Sequence, residues 1–374
     1  MKQPRPADTA LFGHGSPTVD NGPMKRAADE GLDLLDDDTP RRRQRRGPLF
    51  VLLMACVGVL VLALGVGAFY AARGLSALDS ISRDEQLTPQ DYEGRPDAAT
   101  PRPPTTPGGE ETAAPLNFVL MGSDSRGDVE DGRSDSLMIA HVTGDRQAVY
   151  LISFPRDMWV DIPGHGKGKL NWAYAFGGPQ LTVRTLEQLT GVRMDHTVLI
   201  DFEGFVRLTD AVGGVDVYNP WATEQNAGMR FEEGLIHLEG ERALAYVRER
   251  YQLPNGDLDR AHRQRTVVKE IIRKIMTPAT LANPVTFSDV VGKIADTVSV
   301  DDGLTNQFVT DLALSMRLTG TGSIGMLQAP TKGTGMVGSQ SVVLVDPEGL
   351  AELSAALAED SMHEYHAAHL GEEG

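Results

Sequence analysis

Of the 374 residues only one is a cysteine, Cys56, and it lies inside an apolar run, which excludes a disulfide framework and a cysteine-based zinc site. Basic residues are scarce: 35 Lys and Arg stand against 52 Asp and Glu, a formal charge of −17. A nucleic-acid partner is thereby excluded, because such a binder needs a basic footprint to displace counterions. Walker A and kinase motifs are missing, so the chain has no evident means of drawing on ATP. Residues 1–47 are poor in aromatic and β-branched residues and rich in Pro, Gly, Asp and Arg, the composition of a disordered tail. Residues 73–115 are polar and Pro-rich and read as a disordered linker.

Between them stands the one long hydrophobic run. Leu49 to Ala72 is 24 residues without a charge, long enough at about 1.5 Å per residue to cross a hydrocarbon core of about 30 Å. The span 48–72 is therefore expected to be a transmembrane helix. Five arginines precede it (Arg41, Arg42, Arg43, Arg45, Arg46), and only Arg73 and Arg83 follow closely. The positive-inside rule then predicts a single-pass protein of the cytoplasmic membrane, with its N-terminus in the cytoplasm and everything after residue 72 outside. Within the span, Ala63 and Gly67 make a small-xxx-small pattern, a weak dimerisation signal.

The folded part is expected over 116–360, with 361–374 as a tail. Short apolar runs at Leu116–Met121, Leu137–Val142 and Ala148–Phe154 read as buried strands, and 197–200 and 215–218 as two more. Residues 179–190 read as a helix capped by Gly191, 205–212 as a short helix ended by Gly213 and Gly214, and 241–248 and 260–276 as further helices. Residues 284–318 look helical, and 322–360 hold two weaker strands and a closing helix at 347–357. The alternation predicts an α/β fold, a central mixed sheet flanked by helices.

Charged pairs cluster where these strands end. Asp124 and Arg126 follow the first strand, Arg133 and Asp135 precede the second, and Arg156 and Asp157 follow the third. Any one pair alone would pass as a surface salt bridge. Three at strand ends point to one crevice. A second set, Arg248, Arg250, Arg260, Arg263 and Gln264, carries helical spacing that predicts one shared face for the last three. Carboxylate oxygens suit Mg²⁺, and guanidinium forks suit phosphate. Together they describe a site for a metal-bound diphosphate, in which catalysis is positioning and charge neutralisation. With no nucleotide to draw on, the donor must carry its own high-energy bond.

Several residues carry open readings. His363, His366 and His369 have metal-like spacing but read as a solvated tail. His262 could touch phosphate, and Trp159, Trp172 and Tyr174 could form a sugar rim or pack in the core.

From Leu116 to at least Met276 the motifs resemble the LytR-CpsA-Psr family of cell-wall phosphotransferases. In order they are Gly-x-Asp-x-Arg, Gly-Arg-Ser-Asp, Ser-x-Pro-Arg-Asp, Lys169-Leu170-Asn171, Asp201-Phe202-x-Gly204-Phe205, Asp210-Ala211-x-Gly213-Gly214-Val215, and Leu238-x-Gly240 through Arg248-x-Arg250 to Asp259-Arg260-x-x-Arg263-Gln264. Phe154, where the family has a small aliphatic residue, is a minor departure. The resemblance implies transfer of a glycopolymer phosphate from a polyprenyl-pyrophosphate carrier to a peptidoglycan hydroxyl. It implies Asp124 and Asp135 as ligands of Mg²⁺, with Mn²⁺ as the alternative. It gives Arg126, Arg133, Arg156, Arg248, Arg250, Arg260, Arg263 and Gln264 to the pyrophosphate, and a catalytic part to Asp124, Arg126, Arg133, Asp135, Arg156 and Arg260. It also implies an apolar tunnel for the polyprenyl tail, lined by residues that otherwise read as core. Asp124 is the candidate for the acceptor's proton, in competition with its role as ligand. The alternatives are an envelope regulator that binds such precursors without turnover, and a lipid pyrophosphatase.

Overall fold

The computed structural model describes residues 79–102, 112–123, 134–224, 228–275, 292, 294–295, 297–318 and 321–369; of Ser134, Asp135 and Thr321 only the backbone is described. The expected tail 1–47 and membrane helix 48–72 lie outside these residues. Among the described residues no helix is long and apolar enough to cross a membrane.

The first described elements are β1 (Ser82–Arg83) and a 3₁₀ turn (Glu85–Leu87). Three core strands follow, β2 (Leu116–Ser123), β3 (Ser134–Val142) and β4 (Val149–Ser153). A hairpin of β5 (Trp159–Ile162) and β6 (Gly166–Lys169) leads into α1 (Leu170–Thr190), β7 (His196–Asp201) and α2 (Phe202–Ala211). Then come β8 (Val215–Asn219), β9 (Thr223–Glu224), β10 (Arg230–Phe231) and β11 (Gly234–Leu238), and the helices α3 (Gly240–Arg248) and α4 (Asp257–Ile275). The chain closes with β12 (Ser299–Val300), α5 (Asn306–Ser315), β13 (Ile324–Gln328), β14 (Thr331–Val337), β15 (Gln340–Val345), α6 (Pro347–Ala358) and α7 (Met362–His369).

Seven strands form one sheet in the order β1-β12-β7-β2-β3-β4-β13. It is mixed: β2 pairs antiparallel with β3 and parallel with β7, and β4 pairs parallel with β13. The expected α/β architecture, a mixed sheet flanked by helices, is thus the one observed. Successive side chains of a strand alternate between faces. Val119, Ile139 and Ile152 pack on one face with Leu186 of α1 and Leu353 of α6. Phe118, Ala140 and Leu151 pack on the other, against Val268 and Ile272 of α4. A third cluster joins Leu208, Val217, Tyr246 and Val267 from α2, β8, α3 and α4.

Local chemistry sets the helix ends. Asp201 caps α2 by accepting from the Gly204 N–H at 2.6 Å. Gly191 ends α1 in the left-handed conformation (φ 67°), its N–H donating to the Glu187 carbonyl at 2.8 Å. The helix begins nine residues before the expected start because it runs through a kink, where Gly177 and Gly178 leave helical geometry and Pro179 restarts it.

Two segments expected to lie outside the fold belong to it. Within the expected linker 73–115, β1 pairs parallel with β12, and Leu87 is 1% exposed. Arg95 donates to Glu187 Oε1 at 3.0 Å and to the Met194 carbonyl, and Arg102 reaches the Asp360 carbonyl. The expected tail 361–374 contains α7, with Met362 fully buried and His366 against the ring of Tyr150. His363 Nδ1 lies 3.3 Å from the Tyr150 hydroxyl, so this histidine packs against the domain. Among the described residues no group of three His, Cys, Asp or Glu is arranged to hold a metal.

Leu87→Ala is expected to lower the unfolding free energy by about 2–5 kcal/mol in a denaturant titration, as for a core leucine. An unchanged midpoint would return residues 79–102 to the status of a linker.

Candidate functional site

The sheet face made by Leu120, Met138 and Val198 is not fully covered. Between it and α2, α3 and α4 lies a cavity of about 490 Å³ whose apolar part is lined by residues such as Phe205, Leu244, Val268, Ile271 and Ile272. At its mouth are Arg156, Arg248, Arg250, Arg260 and Gln264, with Asp201 and Tyr251. Among the described lining residues that is four arginines and one carboxylate, and the carboxylate already caps α2. The interior suits hydrocarbon and the entrance suits an anion.

Each arginine reaches the mouth from a different place, and one residue gathers three of them. Arg156 follows β4, Arg250 follows α3, and Arg260 sits in the first turns of α4. The Asp257 carboxylate accepts from Arg156 Nε at 3.2 Å and Arg260 Nη2 at 2.9 Å, and lies 3.6 Å from Arg250 Nη1. Guanidinium groups repel one another, and a shared carboxylate offsets that repulsion where they meet. Arg250 also donates to the Tyr251 hydroxyl at 2.8 Å, which holds its charged form more firmly than usual. Arg248 lies over the Phe202 ring at 4.4 Å, and Gln264 Nε2 donates to the Val247 carbonyl at 3.3 Å. The loop bearing Arg250 is fixed by buried Glu249, whose carboxylate accepts from the N–H groups of Tyr251 (2.8 Å) and Gln252 (3.2 Å). Asp257, Glu249 and Tyr251 were not singled out in the sequence. Their signal was an acid or aromatic interleaved with the arginines, which reads equally as a solvated charge run.

Arg263 does not join the mouth. Positions i+3 and i+4 lie about 60° behind and 40° ahead of Arg260, so Arg263 and Gln264 diverge by about 100° around the axis. Arg263 is fully buried, stacked 4.2 Å from the Tyr246 ring, with Nη2 donating to Asn219 Oδ1 at 2.9 Å and Thr223 Oγ1 at 3.2 Å. Burial makes its charge costlier than usual and lowers its pKa. It braces α3 and β8 against α4. His262 also turns away, toward the opposite side of α4. Tyr174 is buried in the core, and Trp159 packs edge-on to Trp172, 6.1 Å between centroids.

Asp124, Arg126 and Arg133 lie outside the described residues, and so does the side chain of Asp135. The backbone carries one relevant fact. Ser123 at the end of β2 pairs with Ser134 at the start of β3, with a register irregularity at Asp135, next to the Gly122 and Ser136 that line the mouth.

Comparison with known proteins gives a consistent picture. The family model described as the LytR_cpsA_psr family matches residues 78–359. A Halalkalibacterium halodurans protein, the polyisoprenyl-teichoic acid–peptidoglycan teichoic acid transferase TagU, is 41% identical over 192 residues, which is 51% of this chain and 63% of that one. TagU of Enterococcus faecalis is 40% identical over 190 residues, 50% of this chain and 61% of its own length. This chain therefore matches under two thirds of the length of either relative. The crystal structure of B. subtilis TagV is similar with a TM-score of 0.59 and 27% identity, covering 66% of this chain and 96% of that one.

Two outcomes separate the roles assigned by geometry. Arg263→Met should cost about 1–3 kcal/mol of stability, because it removes the hydrogen bonds to Asn219 Oδ1 and Thr223 Oγ1 and the cation stacked on the Tyr246 ring. Arg248→Ala should leave the unfolding midpoint unchanged and weaken binding of inorganic pyrophosphate about tenfold or more by calorimetry. The reverse pattern would put Arg263 back at the mouth. His262 has its pKa lowered by burial first and by Arg265 next, so the native state refuses a proton that the unfolded chain accepts. Its contribution to stability is present above about pH 6.5 and is lost as pH falls through the depressed native value. Wild-type stability should accordingly fall more steeply than that of His262→Gln between pH 7 and 5, and parallel curves would contradict this.

Proposed function

From membership of the LytR_cpsA_psr family, to which this chain belongs, we propose that the protein transfers a glycopolymer phosphate from a polyprenyl-pyrophosphate carrier to a peptidoglycan hydroxyl, leaving a phosphodiester link. The observation that carries this reading is the pairing, in one cavity, of an apolar interior with four arginines at its entrance. A hydrocarbon tail with a diphosphate head is the ligand class whose two ends meet those two demands. The teichoic acid transferase relatives are named for a polyisoprenyl-linked teichoic acid, a substrate with a hydrocarbon part.

In this account the acceptor oxygen attacks the glycan-side phosphorus, the P–O–P bridge breaks, and polyprenyl phosphate leaves. Arg156, Arg250 and Arg260 bind the non-bridging oxygens and stabilise the charge that grows on the leaving phosphate. Asp257 keeps their forks turned inward. Arg248 and Gln264 fix the head group from the α3 and α4 sides. Arg126 and Arg133 join the same set by family resemblance. Asp124 and Asp135 would hold Mg²⁺, or Mn²⁺ in its place; carboxylate oxygens at the edge of a phosphate site are the donor type such an ion takes, and it supplies further neutralisation of phosphate charge. Asp124 is also the candidate to take the acceptor's proton. The apolar run 49–72 would anchor the chain in the cytoplasmic membrane with the catalytic domain outside, within reach of lipid carriers in the adjacent leaflet.

Arg260→Ala and Asp135→Ala should each reduce transfer by about 10²-fold or more, measured with purified lipid-pyrophosphate glycan and a peptidoglycan acceptor. Full turnover in either variant contradicts the assignment. Release of the glycan phosphate to water at the same rate with and without acceptor would make the protein a pyrophosphatase.

A further inference from the structure

Helix α4 separates two cavities. Arg260, Gln264, Val268 and Ile272 face the arginine-mouthed one. Leu258, His262, Arg265 and Lys269, on another side of the same helix, face a larger cleft of about 1060 Å³. At about 100° per residue the two faces are centred about 110° apart around the helix axis. The cleft is bounded by β8 and the turn after it, by β13, and by α6 and α7.

Its lining differs in kind from that of the first cavity. Three aromatic side chains reach it from separate elements: Tyr218 from β8, Trp221 from the following turn, and Tyr365 from α7. Tyr218 is 64% exposed, and Tyr365 stacks on His369 with ring centroids 4.2 Å apart. The lining also carries neutral hydrogen-bonding groups, the carboxamides of Asn255 and Gln328 and the imidazole of His262, beside the cations Arg265 and Lys269. Carboxylates rim the far wall at Asp346, Glu348 and Glu352.

We propose that this cleft binds an uncharged oligosaccharide, the glycan strand of the wall acceptor, at a subsite separate from the diphosphate cavity; this rests on the transfer reading for the acceptor's identity. A sugar ring offers an apolar C–H face and a hydroxyl edge. Aromatic faces match the first, and carboxamides, imidazole and carboxylates match the second as donors and acceptors. Among the described residues the lining carries six carboxylates (Asp216, Asp259, Glu270, Asp346, Glu348, Glu352) against the two cations Arg265 and Lys269, and this excess of negative charge disfavours a phosphate-bearing polymer such as the donor glycopolymer. A pocket of this size exceeds what one small molecule fills and suits several sugar units. Among the described residues the two linings share none, but they are adjacent in sequence at the N-terminal end of α4, where Asn255 and Asp259 line the cleft and Arg260 lines the diphosphate cavity. Asp259 ties that end together by accepting from the Asn255 N–H at 2.7 Å and from Asn255 Nδ2 at 3.1 Å. A strand lying in the cleft is thus brought past the end of the helix that carries a phosphate-binding arginine. Donor and acceptor are sorted by charge onto two faces of one helix.

The test is calorimetric titration of the full chain in detergent with a soluble N-acetylglucosamine tetramer, without lipid carrier. Saturable binding is expected, weakened about tenfold or more in Tyr218→Ala and in Gln328→Ala, with affinity for inorganic pyrophosphate unchanged in both variants. Tyr218 is exposed on its strand, so its replacement leaves the core intact. Absence of tetramer binding in the wild type, equal binding in the variants, or binding of a stem peptide in preference to the saccharide would each overturn the proposal. Saccharide binding is read without turnover. A protein that binds the tetramer in this cleft yet transfers nothing would sink the transfer reading and leave the saccharide site standing.

Discussion

Convergence of like charges at the end of an apolar cavity is the constraint on which the rest of the molecule turns. Two guanidinium groups about 4 Å apart repel by about 4 kcal/mol at an effective dielectric of about 20. Arg156, Arg250 and Arg260 are brought together all the same, from the end of β4, the loop after α3 and the start of α4, around the single carboxylate of Asp257. Such an arrangement is held by rigid elements and is relieved by an anion. Behind it, Leu120, Val198, Val268 and Ile272 leave unfilled space next to the sheet instead of closing on one another. A cluster of arginines without the cavity would suit any phosphate. A cavity without the arginines would suit any hydrocarbon. Their union is the combination that an amphipathic diphosphate would satisfy.

Helix α4 divides the work. Arg260, Gln264, Val268 and Ile272 line one cavity, Leu258, His262, Arg265 and Lys269 line the second cleft about 110° around the axis, and the remaining side holds the buried Val267 and Arg263. Arg263 is a buried cation stacked on Tyr246 and bonded to Asn219 and Thr223, and it fixes the spacing between α3 and α4. That spacing sets how Arg248 and Arg250 stand relative to Arg260. One arginine serves the packing of α3 against α4, and four others line the cavity.

Much of this was legible in the sequence, for local reasons. Strands β2, β3 and β4 are short apolar runs bounded by turn residues, and Gly191 announced its helix end. What escaped was non-local or hidden by a breaker. β1 is two residues long and exists because β12, more than 200 residues later, pairs with it. The first half of α1 was obscured by Gly177 and Gly178, which the helix tolerates as a kink. Arg263 was misplaced because i+3 and i+4 were treated as one face, a fair approximation for a wide apolar stripe and a poor one for a narrow mouth. The histidines of α7 read as a solvated run because nothing near them in sequence foretells that Tyr150 supplies the contact.

The central claim is that one amphipathic ligand occupies the cavity with its head at the arginines and its tail along the sheet. A crystal structure of the protein with a polyprenyl pyrophosphate tests it most directly. The account predicts the diphosphate between Arg156, Arg250 and Arg260 and the isoprenoid chain against Leu120, Val198 and Ile272. A chain lying outside the cavity, or a diphosphate bound away from those three guanidinium groups, would contradict it.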